Sequence, residues 1–232
     1  MKLGILGAMH SEVEHLQSEL ISPKITMYAG LEVHEGLMGS MPVAVVRCGE
    51  GKVNAAMCAQ ALIARFGVTH VINTGVAGSL DASIDIGDLV VSTDLVHHDY
   101  DTTVRGFAPG EIPEVGTIAF EASVELRAVV HKAARRVNPD LTLHDGRIAT
   151  GDQFIADDAS KQHIVDTFGA LCCEMEGAAI AQVCYLNKIP FVVVRAISDK
   201  ADHSSIVDFD VFVIDAAHTC GRVVEELASL LS

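Results

Sequence analysis

Apolar residues in this chain fall into short unbroken runs, separated by longer stretches in which they recur every three or four positions. Runs such as Val43-Ala44-Val45-Val46 and Phe191-Val192-Val193-Val194 are too continuous for strands with one wet face. They read as strands buried on both sides. On that pattern, strands are expected at 2–6, 42–47, 70–73, 88–92, 146–149 and 191–196. Helical spacing predicts helices at 10–20, 52–66, 124–137, 159–168, 177–186 and 211–231. The alanine-rich 52–66 stretch meets Gly67, a natural helix stop. A hairpin is expected at 25–38, with turns signalled by Ala29-Gly30 and Gly39. Strands alternating with helices argue for an α/β fold with a largely parallel sheet covered on both faces. No repeat, linker or low-complexity tract divides the chain, so one domain over 1–232 is expected. The 97–115 segment is rich in Gly, Pro and Asp and is long for a connection. Such a loop is expected to carry function or to pack against a partner.

Composition narrows the partners. Hydrophobic residues make up 50% of the chain and charged ones 20%, enough apolar content for a substantial core. Thirty-one acidic side chains against 16 basic ones give a formal charge of −15 with no basic cluster. That balance argues against nucleic acid and against an anionic membrane surface. No run approaches the roughly 18 apolar residues of a spanning helix. The opening apolar run meets Glu12 and Glu14 at once and does not read as a signal peptide. Six cysteines show neither C-x-x-C nor zinc spacing, which suits reduced, buried thiols in a cytoplasmic protein.

Several strand ends run into glycine-rich or polar text: Gly7-Ala8-Met9, Cys48-Gly49-Glu50-Gly51, Asn73-Thr74-Gly75, Thr150-Gly151-Asp152 and Ser198-Asp199. Ligands of open parallel sheets bind outside the carboxyl ends of the strands, so a small-molecule site is expected there. Phosphate cradles fit poorly. A P-loop around Gly51-Lys52 would need Gly at 46 and Ser or Thr at 53, where the chain has Val46 and Val53. Gly4-Ile5-Leu6-Gly7 lacks the leading glycine of a dinucleotide fingerprint. His97-His98-Asp99 matches no standard metal spacing, and no G-x-S-x-G is present. Neither metal nor cofactor is expected. Carboxylates are the remaining chemistry. Glu174 and Glu176 precede a helix and either cap it or accept hydrogen bonds from a sugar diol. Asp199 either caps a turn or donates a proton to a ligand, and Glu12 is either a solvated helix residue or a catalytic one.

Taken in order, the motifs resemble one family across almost the whole chain. They are Gly4-Ile-Leu-Gly-Ala-Met9 with Glu12, Gly51-Lys-Val-Asn54, Asn73-Thr-Gly-Val-Ala-Gly78, His98-Asp99 with Asp101, Gly151-Asp-Gln-Phe-Ile155, Glu174-Met-Glu176 and Val194-Arg-Ala-Ile-Ser-Asp199. The set resembles the 5′-methylthioadenosine/S-adenosylhomocysteine nucleosidases of the nucleoside phosphorylase-like superfamily. The resemblance implies a three-layer α/β/α sandwich with a central, largely parallel mixed sheet. It implies hydrolysis of the N-glycosidic bond of a 5′-modified adenosine, releasing adenine and a thioribose. By resemblance, Asp199 is the acid that protonates adenine N7 and Glu12 the base that activates water. Glu176 holds the ribose hydroxyls beside Met175, and Phe154 stacks on the purine. The backbone of Ala77, Gly78 and Ile155 lines the purine edge. Glu174 and Arg195 support the water and ribose region, and Ser198 joins the substrate-binding set. A homodimer is implied, with the 97–115 loop completing the neighbouring site.

Two positions depart from the family's pattern, namely Glu50 where an apolar residue is usual and Arg105 where an aromatic one is. Both border the pocket for the 5′ group in the family, while Phe107 and Pro113 keep its loop residues. Glu50 and Arg105 are expected either to pair across the dimer or to recognise a polar 5′ substituent, whether homocysteine or a carboxylated group as in aminodeoxyfutalosine. The alternative is that both point to solvent. A phosphorylase is the nearest rival, but the sequence around Glu12 has no Arg, and a carboxylate there would repel phosphate. A silent nucleoside-binding protein would need no acid–base pair, and the broken glycine fingerprint argues against an oxidoreductase.

Overall fold

A computed structural model describes residues 1–232. In chain order the elements are β1 (Leu3–Gly7), α1 (His10–Ser18), β2 (Ile21–Tyr28), β3 (Leu31–Met38), β4 (Met41–Arg47), α2 (Lys52–Phe66), β5 (His70–Ser79) and β6 (Leu89–His97). There follow β7 (Ala119–Glu121), α3 (Val124–Val137), β8 (Leu143–Thr150), α4 (Asp158–Phe168), β9 (Cys172–Glu174), α5 (Gly177–Asn187), β10 (Phe191–Asp199) and α6 (Ser205–Leu230).

Local chemistry sets many of these bounds. Gly67 takes the left-handed conformation that ends α2, and Gly169 does the same for α4. Ser123 caps α3 by accepting from the Leu126 amide, and Asp157 caps α4 by accepting from that of Ser160. Ala29 and Gly30 both have positive φ, the pairing that a tight hairpin between twisted strands requires, so β2 and β3 fold back on each other there.

All strands belong to one mixed sheet. Strands β1, β4, β5 and β10 run parallel to their neighbours in that group. β6, β8 and β9 are parallel among themselves but meet β10 and β5 antiparallel. Because β10 pairs with both β5 and β6, and β9 with both β8 and β5, this half of the sheet closes into a ring. The β2–β3–β4 meander extends the other half antiparallel.

Two apolar layers flank the sheet, as alternation along β1 shows. Leu3 and Ile5 pack with Leu16, Val130, Val224 and Leu227 of α1, α3 and α6. Leu6 points the other way, toward Cys58, Leu62, Ile180 and Cys184 of α2 and α5. A smaller core of Ile155, Ile164, Phe168 and Cys173 seats α4. The three-layer arrangement is the one expected. Several expected boundaries need correction. β5 runs on through Gly75-Val76-Ala77-Gly78 to Ser79, and β6 to His97, because backbone pairing carries glycine-rich text as strand. α6 starts at Ser205 rather than at 211. The short strands β7 and β9, three residues each, are too brief to show a period.

Candidate active site

Ring closure brings β5, β9 and β10 against the end of β1 and the loops after β4 and β8. Between them lies a cavity of about 200 Å³. Of the expected site residues, Glu12, Glu50, Ala77, Gly78, Phe154, Ile155, Glu174, Met175, Glu176, Ser198 and Asp199 line it.

Glu12 is almost fully buried, which excludes the solvated-face reading. One carboxylate oxygen accepts from the amides of Ala8 at 2.6 Å and Met9 at 2.9 Å, the other from that of Val76 at 3.1 Å. The side chain thus caps its own helix and ties α1 to β5. Burial pushes its pKa up, against the pull of nearby Arg195 and these three amides. Gly75 makes the arrangement possible, since a Cβ there would collide with both the Glu12 carboxylate and the Arg195 guanidinium.

Arg195 lies wholly buried behind the cavity wall. It donates to Asn73 Oδ1 at 2.6 Å, pairs closely with Glu174, and stands 3.7 Å from Glu176. Glu174 is spent on the protein. It also accepts from the Thr150 hydroxyl and from the amides of Glu176 and Gly177 at 3.0 and 2.7 Å. The role it has is therefore to hold Arg195 and the start of α5. Glu176 accepts only one protein hydrogen bond, from the Gly51 amide at 2.8 Å. Burial first, then repulsion from Glu174, raises its pKa to about 8, while Arg195 and the Gly51 amide oppose the shift.

Asp199 ends β10. Its Oδ1 accepts from the Ala201 amide at 2.9 Å and its Oδ2 faces the Ser198 hydroxyl at 3.0 Å. Ala201 takes a left-handed φ of 51° to present that amide, a strained conformation of the kind found at functional sites. A Cβ at Gly78 would stand 2.8 Å from Asp199 Oδ1, so glycine keeps the carboxyl's place open. Phe154 is about half exposed at the rim and meets Phe209 edge-on, ring centroids 5.6 Å apart.

Arg105, Phe107 and Pro113 do not reach this cavity within the chain. Arg105 sits in a single 3-10 turn, Thr103–Arg105, with its guanidinium 5.4 Å from the Phe107 ring centre. Six further residues line the cavity: Ala8, Met9, Val76, Gln153, Cys173 and Phe209. Ala8, Met9, Val76 and Gln153 lie within the motifs and Cys173 directly precedes Glu174, so these five could have been taken with them. Phe209 was hidden by the late start expected for α6.

The surroundings match known proteins closely. A sequence model of the Phosphorylase superfamily matches residues 2–229. A 5′-methylthioadenosine/S-adenosylhomocysteine nucleosidase of Shewanella denitrificans is 40% identical, with 100% of each chain covered. The solved structure of the nucleosidase of that name from Colwellia psychrerythraea, in complex with adenine, is 38% identical with a TM-score of 0.96, covering 100% of this chain and 96% of that one. A futalosine hydrolase of Helicobacter pylori is 34% identical with a TM-score of 0.94, covering 99% and 98%. The chain belongs to the phosphorylase superfamily and, within it, to the 5′-methylthioadenosine/S-adenosylhomocysteine nucleosidases.

Proposed function

We propose that this protein hydrolyses the N-glycosidic bond of 5′-methylthioadenosine and S-adenosylhomocysteine, releasing adenine and the 5′-thioribose. One observation carries the assignment of roles: two carboxylates, Glu12 and Asp199, are buried on one cavity and anchored by separate sets of partners. Two such groups can act as base and acid at once.

Adenine leaves poorly as an anion. Asp199 donates its proton to N7, so the C1′–N9 bond breaks to release neutral adenine. Ser198 and the Ala201 amide hold the carboxyl in place for that transfer. Glu12, whose pKa burial raises above that of an ordinary carboxylate and so makes it a stronger base, takes a proton from water as its oxygen bonds to C1′. The ribose passes through a cationic, oxocarbenium-like state, and the carboxylates of Glu12 and Glu176 stabilise that charge. Glu176, with one protein hydrogen bond, has acceptor capacity for two ribose hydroxyls beside Met175. Phe154 and Phe209 offer aromatic faces at the rim, while Ala77, Gly78 and Ile155 line the purine edge.

Phosphorolysis fits less well. Arg195, the cation at this site, is committed to Asn73 and Glu174, and a phosphate would face Glu12 and Glu176. The reading also includes a cytoplasmic homodimer. All six thiols are free and buried, as suits a reducing compartment, and no helix is long and apolar enough to cross a membrane. Arg105, Phe107 and Pro113 lie outside their own cavity, on a loop that a second copy could receive at its site.

Adenine release from both nucleosides, measured with and without phosphate, is the test. Release independent of phosphate is expected; release that requires phosphate would move the chain to the phosphorylases. Asp199→Asn and Glu12→Gln should each lower kcat about 10²–10⁴-fold while a non-hydrolysable analogue still binds.

A further inference from the structure

The Gly51-Lys52-Val53-Asn54 motif holds one side chain to which the chemistry above gives no part, that of Asn54. It stands in the first turn of α2, and its Nδ2 donates to the carbonyl of Glu50 at 2.6 Å. The amide that follows, that of Gly51, donates to Glu176 Oε1 at 2.8 Å. This carbonyl and this amide belong to one peptide unit, a rigid plane whose C=O and N–H point opposite ways. Holding the oxygen therefore aims the N–H.

The neighbouring peptide units have partners of their own. The Gly49 amide donates to the Ala8 carbonyl at 3.2 Å, the Gly51 carbonyl accepts from the Ala55 amide at 3.1 Å, and the Lys52 amide donates to Asp152 at 2.8 Å. Between them, the 50–51 unit is held within the chain by Asn54 and Glu176. Backbone sterics do not favour its orientation. Gly51 takes φ 92° and ψ 160°, a combination open to glycine, and turning the peptide over would return φ to the common negative region. A turned peptide would aim its oxygen at Glu176 in place of the N–H, and that oxygen would repel the carboxylate. The Gly51 amide is also one of the influences that hold the Glu176 pKa down against burial and Glu174.

We infer that Asn54 is a positioning residue for substrate binding: it holds the Glu50 carbonyl, keeps the Gly51 amide on Glu176, and so keeps Glu176 ready to accept the ribose hydroxyls. The inference rests on the nucleosidase reading above, in which Glu176 meets the ribose.

The test compares wild type with Asn54→Ala, each also in a Glu176→Gln background. Alanine is the better helix former, so α2 itself is not weakened by the change. Two probes are titrated by calorimetry: adenine, and a methylthioadenosine analogue whose glycosidic bond is carbon–carbon. Near neutral pH, Asn54→Ala should bind the analogue about tenfold more weakly, the effect of losing one hydrogen bond to a charged group. The loss should shrink at alkaline pH, where Glu176 is ionised in both proteins. Adenine, which lacks the ribose, should bind as before, and in the Glu176→Gln background Asn54→Ala should cost nothing more. A loss equal at every pH, a loss shared by adenine, or an unchanged affinity for the analogue would overturn the inference. If wild type releases adenine from methylthioadenosine and Asn54→Ala binds the analogue equally well throughout, only this inference fails. If wild type releases no adenine, the nucleosidase reading fails and takes this inference with it.

Discussion

Buried beside Glu174 and within reach of a single guanidinium, Glu176 gives up its proton late, near pH 8 rather than near its ordinary 4.5. The unfolded chain loses that proton first. Between the two values the folded state binds more protons than the unfolded one, so stability falls as pH rises through this window. Glu12, also raised by burial, adds to the same slope. Ligand binding runs the opposite way, because ribose hydroxyls donate best to an ionised Glu176. From pH 5 to pH 8 the urea midpoint of the free protein should fall while affinity for a non-hydrolysable nucleoside rises. Glu176→Gln should flatten the first trend and abolish most of the binding; a pH-independent wild-type affinity would argue that Glu176 does not hold the ribose. Gly78 offers a second test at this scale. A methyl group there would stand 2.8 Å from the Asp199 carboxyl and 3.0 Å from Ala201 Cβ. Gly78→Ala should therefore lower kcat about tenfold or more by displacing the acid, while a distant change on a helix surface would not.

Elements meet at the site through a polar clasp that the motifs did not explain. Asp99, just past β6, accepts from Lys52 Nζ at 2.5 Å and from the Asp152 amide at 2.9 Å. Asp152 in turn accepts from the Lys52 amide at the start of α2. Three segments are fastened together, and two of them carry pocket residues, Glu50 and Phe154. Burial raises the pKa of Asp99, but the Lys52 ammonium and the Asp152 amide outweigh it and hold it low. Asp99→Asn should raise KM several-fold with a smaller change in kcat, since the wall loosens while the acid and base stay anchored. Combined with Lys52→Met it should show strong coupling in a double-mutant cycle, and additive effects would argue against the clasp. Elements of this kind were unevenly legible. α2 and α3 came out at their observed bounds because alanine content, Gly67 and helical spacing are local signals. β9 and the first turns of α6 were not visible, because a three-residue strand has no period and Asp208-Phe209-Asp210 breaks the apolar stripe. The catalytic carboxylates were readable as motif text. The Asn73–Arg195–Glu174–Thr150 network was not, because its members are joined only by ring closure of the sheet.

The molecule as a whole leaves one face unfinished. Beside the clasp, an apolar hollow of about 330 Å³ is lined by Val53, Ala56, Tyr100, Ile112, Val183 and Leu186. Of these, Val53 is 80% exposed and Leu186 59%. Contiguous exposed apolar side chains of this size mark interaction surfaces. Lys52 and Val53 directly follow Glu50 and Gly51, so whatever covers the hollow also approaches the mouth of the cavity. A second copy in a two-fold dimer meets both requirements, because each protomer would offer its own hollow and its own 97–115 loop. The loop residues absent from their own cavity, Arg105, Phe107 and Pro113, would then border the neighbour's. Sedimentation should give twice the 24.6 kDa of one chain at micromolar concentration. Val53→Asp with Leu186→Asp should give monomers, because burying two new carboxylates against an apolar partner is unfavourable. Those side chains are exposed in the single chain, so the urea midpoint of the monomer should change little, while kcat/KM should fall about tenfold or more as the neighbour's loop is lost. A monomeric variant with undiminished turnover would show that each cavity is complete within one chain.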